Sequence, residues 1–170
     1  MILKTNSQIL LIALLTGCIL LLQGCSEGVK APKGAMEAVP DFTVALFDGG
    51  KFHMSEQRGK VVVINFFASW CRSCGKETPV IEKIAREYAP QNVVLLAIAV
   101  DDTESKAKAF MKKIGLTIAA GLDRTGKIKD AFGLYGMPTT YFIAKDGMIS
   151  YFHAGVVTEQ LLKYEIDKLL

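Results

Sequence analysis

Apolar and polar positions change period several times along this chain, and each change marks an element. Phe42, Val44 and Leu46 alternate with other residues up to Asp48-Gly49-Gly50, and Lys51-Phe52-His53-Met54 runs back, which predicts a β-hairpin. Residues 61–67 form an apolar run rich in β-branched side chains, the pattern of a buried parallel strand. From 71 to 88 the apolar residues Ile81, Ile84 and Tyr88 recur at helical spacing, interrupted by Pro79, which should kink the helix. Residues 93–100 read as a second buried strand, and Thr103 precedes a helix over 104–114 that ends at Gly115. A short strand over 116–120 and a short helix over 125–132 follow. Residues 139–144 and 148–152 form a hairpin across Lys145-Asp146-Gly147, and Thr158 caps a closing helix with apolar Leu161, Leu162, Ile166, Leu169 and Leu170. The order β-α-β-α-β-α-β-β-α belongs to an α/β layered domain.

The amino-terminal segment has a different pattern. Lys4 is the lone charge in the first 26 residues, and Ile9 to Leu22 is a 14-residue stretch that is almost entirely apolar. A membrane-spanning helix needs about 20 such residues, so the stretch has the size of a signal-peptide core. Leu22-Gln23-Gly24-Cys25 ends it as a bacterial lipoprotein box does, with a small residue before the cysteine that is lipidated. Leu15-Thr16-Gly17-Cys18 is a second match, but it would leave Ile19 to Leu22 as an apolar start to the mature chain. Residues 26–39 are rich in Gly, Ala and Lys, lack periodicity, and read as a tether. The expected organisation is a signal peptide over 1–24, a tether over 25–38 led by lipidated Cys25, and one domain over 39–170. An uncleaved signal anchor is the alternative; either form puts the folded part outside the cytoplasmic membrane.

Charge excludes one class of partner. Losing Lys4 from 20 basic residues against 17 acidic ones leaves a net charge of about +2, with no basic stripe for nucleic acid. We expect a monomer held to the membrane by its lipid.

The chemistry concentrates at Trp70-Cys71-Arg72-Ser73-Cys74. If a helix begins at Cys71, cysteines three apart share a face with Cα atoms about 5 Å apart, inside the range of a disulfide. A helix N-terminus carries a partial positive charge that favours a thiolate at Cys71, and Arg72 adds to it. Zinc sites use the same spacing but need a further ligand pair, and the remaining cysteines and histidines are Cys18, Cys25, His53 and His153. We therefore expect no metal and no cofactor beyond a redox-active Cys71–Cys74 disulfide.

The string from Val63 to Pro79, Val-Ile-Asn-Phe-Phe-Ala-Ser-Trp-Cys-Arg-Ser-Cys-Gly-Lys-Glu-Thr-Pro, resembles the TlpA/ResA-like family of membrane-tethered thiol–disulfide oxidoreductases, as does Gly136-Met137-Pro138-Thr139-Thr140. That resemblance covers residues 39 to 170. It implies a thioredoxin-like fold: a central mixed sheet with helices on both faces, an N-terminal β-hairpin and an inserted βα unit. It implies that Cys71 attacks and Cys74 resolves the mixed disulfide. Pro138 would be a cis-proline facing the disulfide, which suits an X-Pro bond just before a strand. Trp70 would wall the site, and Met137 and Thr139 would border the substrate.

Glu77 lies one helical turn after Cys74, where a buried carboxylate could take the Cys74 proton. Thioredoxins place an Asp on the preceding strand for this; Asn65 stands there instead, and the family pairs that Asn with a Glu at the position of Glu77. Ser73 replaces the proline common in the family and frees an N–H toward the Cys71 sulfur. The implied partners are protein disulfides and a membrane thiol donor of electrons, in a reductase serving cytochrome c maturation. Two alternatives have marks against them. A peroxiredoxin-type peroxidase expects Thr and Pro where Ala68 and Asn65 stand, and a thioredoxin-fold copper chaperone expects three residues between its cysteines and a distal histidine.

Overall fold

In a computed structural model, which describes residue 34 and residues 36–170, the chain forms a five-stranded mixed sheet with helices on both faces and a separate two-stranded hairpin. The proposed signal peptide, Cys18, Cys25 and the tether as far as residue 33 lie outside the described residues. The hairpin is β1 (Thr43–Ala45) and β2 (Lys51–His53), followed by a 3-10 turn at Met54–Gln57. Then come β3 (Val61–Phe67), α1 (Cys74–Tyr88), β4 (Val93–Ala99), α2 (Glu104–Ile114), β5 (Ala120–Leu122), α3 (Lys127–Phe132), β6 (Thr139–Ile143), β7 (Ile149–Ala154) and α4 (Glu159–Asp167). The sheet order is β5-β4-β3-β6-β7, with β3, β4 and β5 parallel and β6 and β7 antiparallel to their neighbours. Between α1 and Pro138 stand two strands and two helices, β4-α2-β5-α3, which leaves room for the βα unit that the resemblance implies.

Alternation along β3 builds two cores. Val61, Val63 and Phe67 pack with α1, α2 and α4, through Ile81, Ile84, Ala107, Leu162 and Ile166. Val62, Ile64 and Phe66 pack on the opposite face with Phe132 of α3, Tyr141, and Val44 and Phe52 of the hairpin. Every side chain of β3 is buried, which is why the run reads as apolar rather than alternating.

Three details differ from the sequence reading. Helix α1 starts at Cys74, not Cys71, with Ser73 at its N-cap position. It continues through Pro79, which lies on the exposed side, where water can take up the carbonyl left without an N–H partner. The strand expected over 116–120 is displaced to Ala120–Leu122. The buried Glu82 carboxylate accepts from the Thr117 and Ile118 N–H groups and the Thr117 hydroxyl, so that stretch is tied to α1 and not to the ladder. Gly121 follows because a Cβ there would lie 2.5 Å from the Ala45 carbonyl oxygen of the hairpin. At the other edge, residues 36–38, assigned to the tether, bond along β7: Met36 N–H donates to Ile149 O (2.7 Å) and Ile149 N–H to Glu37 O (2.8 Å).

Candidate functional site

Strand β3 and strand β6 deliver the two halves of the site to one end of the sheet. Phe66 pairs with Thr139, so the loop that leaves β3 toward the cysteines starts beside the point where Pro138 enters β6. Cys71 and Cys74 form a disulfide with Cα atoms 5.5 Å apart. Both residues are nearly closed to solvent, Cys71 at 5% and Cys74 at 3% exposure. The Cys71 sulfur accepts from the Cys74 N–H at 3.2 Å and lies 3.5 Å from the Ser73 hydroxyl oxygen. Ser73 thus meets the sulfur through its hydroxyl, while the Cys74 N–H supplies the backbone donor. Once the disulfide opens, these donors and the positive end of α1 favour a thiolate on Cys71. This holds although Cys71 precedes the helix, because the free N–H of the first turn points back at its sulfur.

Met137–Pro138 is a cis peptide bond. The Pro138 carbonyl accepts from Gly155 N–H at 2.8 Å, which ties the bond to the loop between β7 and α4. Thr139 is buried, and its hydroxyl donates to Gly136 O at 2.8 Å; its side chain closes this turn and does not face solvent. Met137 is partly buried and touches both cores. Trp70 is 60% exposed, with its indole N–H donating to Asp101 O at 3.1 Å.

Glu77 is 1% exposed, on the α1 face that meets the sheet. Its Oε1 accepts from the Asn65 side-chain amide at 2.8 Å and its Oε2 from Val157 N–H at 2.9 Å. Burial lifts its pKa from the ordinary 4.5 to about 7, opposed by those two hydrogen bonds, which favour the charged form. Asn65 also donates to the Thr140 hydroxyl at 3.0 Å, its opposite neighbour across β3 and β6. Glu77 is therefore a buried carboxylate poised to exchange a proton near neutral pH, one turn from Cys74. Thr140 and Val157 escaped the sequence reading. Thr140 sits inside the proline motif, but its facing Asn65 follows only from strand register; Val157 contributes a backbone N–H, which no residue type announces. Among the described residues no group of three or more His, Cys, Asp or Glu could hold a metal ion, and His53 and His153 lie in different sheets.

The AhpC/TSA family matches residues 35–152. The chain belongs to that family. Among its relatives, ResA of Bacillus cereus, a thiol–disulfide oxidoreductase, is 28% identical over 164 residues, covering 95% of this chain and 94% of ResA. The thioredoxin-like protein YneN of Bacillus subtilis is 30% identical over 146 residues, 85% of this chain and 81% of YneN. A putative thiol:disulfide interchange protein DsbE from Chlorobium tepidum superimposes with a TM-score of 0.74 at 25% identity, over 82% of this chain and 99% of that one. This AhpC/TSA-family protein is thus a ResA-like thiol–disulfide oxidoreductase with a thioredoxin-like fold, and Cys71–Cys74 is its redox pair. No helix among the described residues is long and apolar enough to cross a membrane.

Proposed function

We propose that the protein is a lipid-anchored, extracytoplasmic reductase of protein disulfides, recharged by a thiol donor in the membrane. The observation that carries the chemistry is the buried Glu77 carboxylate with its pKa near 7, one turn after Cys74. The Cys71 thiolate attacks a substrate disulfide, forming a Cys71–substrate disulfide and releasing the other substrate sulfur as thiolate. Cys74 then passes its proton to Glu77 and attacks the Cys71 sulfur, closing Cys71–Cys74 and releasing the second substrate thiolate. The substrate gains two electrons and the protein loses them. A donor dithiol reverses the protein's half of the cycle.

The exposed Trp70 beside Cys71 and the cis bond at Pro138 border the surface a substrate segment would meet, with the Met137 backbone as its pairing partner. The anchor rests on Cys25 and the apolar stretch before it. The resemblance implies protein disulfides as substrates, in the service of cytochrome c maturation. Cys71→Ser abolishes exchange, whereas Cys74→Ser accumulates mixed disulfides that a trapping gel displays. Turnover of Cys74→Ser at the wild-type rate overturns the assignment. A potential for the Cys71–Cys74 pair near that of thioredoxin supports the reductase, and one near the strong periplasmic oxidants overturns it. Mass spectrometry showing an unmodified Cys25 removes the anchor.

A further inference from the structure

Six residues, 68–73, connect the end of β3 to the start of α1 and carry the outer half of the disulfide. Their hold on the rest of the fold includes a set of bonds to one short segment, the turn between β4 and α2. The Asp102 carboxylate accepts from Ser69 twice, from its N–H at 2.6 Å and from its hydroxyl at 2.9 Å. Asp102 is itself held, since its Oδ1 also accepts from Thr103 N–H at 2.8 Å, and Thr103 caps α2 through its own hydroxyl. Next to it, Asp101 takes a left-handed conformation with φ of 49° and offers its carbonyl to the Trp70 indole. Its carboxylate pairs with Lys129 of α3 at 2.6 Å. A left-handed aspartate costs energy unless its surroundings hold it, and here partners sit on both ends of the residue.

We propose that Asp102 is a positioning residue for disulfide exchange. Its paired, charge-assisted bonds hold the Ser69 backbone, which directs Trp70 and the following Cys71 so that the outer sulfur meets a substrate disulfide in one orientation. Sulfur attack on a disulfide has strict directional demands, and a loop free to wander by an ångström loses the aligned geometry. Asp102 acts through Ser69 and touches no reacting atom. Helix α3 is thereby linked to the site, through Asp101 and Lys129.

Trp70, the single tryptophan of the chain, reports on this arrangement directly. The full-length protein is reduced and mixed with oxidised glutathione, and the first attack is followed by stopped flow together with Trp70 anisotropy. Asp102→Ala is expected to lower the anisotropy and slow the first attack roughly tenfold. Asp102→Asn, which keeps one acceptor oxygen, falls between it and wild type. Ser69→Ala, which removes the hydroxyl bond alone, gives a smaller loss of the same kind and serves if Asp102→Ala does not fold. Tyr88→Phe, which removes a hydroxyl bond to Asp167 at the far end of α1, controls for stability. Wild-type anisotropy and attack rate in Asp102→Ala, or in Ser69→Ala if only that variant folds, overturn the proposal. Equal losses in a Tyr88→Phe protein of the same stability do so as well.

Discussion

Residues 65 and 66 are neighbours in β3, and residues 140 and 141 are neighbours in β6, yet each pair divides between two unlike interiors. Asn65 and Thr140 face α1 and join Glu77 in a buried polar network. Phe66 and Tyr141 face the other way, into an aromatic cluster with Phe132, at centroid separations of 4.8 to 6.0 Å. Each of these two clusters contains a buried acid, and burial is the largest cause of its shift in each. The outcomes differ because the starting values differ. Tyr141 moves from 10.0 to about 12, stays neutral at any physiological pH, and donates its hydroxyl to Phe132 O at 3.0 Å. Glu77 moves from 4.5 to about 7 and becomes able to gain or lose a proton at working pH. Desolvation that only seals one face makes the other reactive.

The largest change expected from breaking this contrast is on the sealed face. Phe132→Ala empties the centre of the aromatic cluster and should cost about 3–5 kcal/mol, seen as a lower denaturation midpoint. Disulfide exchange per folded molecule should be retained, because no reacting group touches that cavity.

The next effect tests the titrating face through stability. The folded-state pKa of Glu77 stands above its ordinary 4.5, so the fold favours the protonated form. The stability this contributes is complete below about pH 4.5, declines as the pH rises, and is gone above about pH 7. A shift of this size corresponds to about 3 kcal/mol. Denaturation of wild type minus Glu77→Gln across that window should show the decline, and a flat difference would place Glu77 in water.

Glu77→Gln should also make the titrating face as inert as the sealed one. The first attack by Cys71 is kept, while resolution of the mixed disulfide slows by about a hundredfold above neutral pH. Stopped-flow profiles between roughly pH 5 and 9 should lose their inflection near 7 in the variant. Superimposable profiles would assign the Cys74 proton to another acceptor.

The smallest effect is expected for Tyr141→Phe. It leaves the Phe132 carbonyl without its hydroxyl donor while keeping the ring, and should cost about 1 kcal/mol without altering the pH profile of exchange. A change in that profile would mean that the two faces are coupled through β6.

Much of this was legible from local pattern. The buried run 61–67 became β3 with the expected limits, and Thr103 and Gly115 bracket α2 as read, Gly115 with a φ of 73°. The cysteine pair was legible because both residues and their spacing lie within one turn of chain. Glu77 was legible as a carboxylate one turn onward, and Asn65 as the residue standing where thioredoxins have Asp. Register was not. Asn65 faces Thr140 and Val157 N–H reaches Glu77 from 80 residues away, contacts that depend on how strands align. The displaced β5 has the same origin, since Glu82 on α1 claims the backbone that an apolar run had suggested for the ladder.

The amino-acid sequence by itself determined the alternation of elements, the redox pair and the acid one turn behind it, because these follow from short-range periodicity and from the chemistry of residue type. Only the tertiary structure decided that Glu77 is dry, that its two oxygens are held by Asn65 and Val157, and that Asp102 grips the loop before Cys71. Burial and backbone donors are properties of packed elements, and no stretch of sequence carries them until distant strands have taken their register.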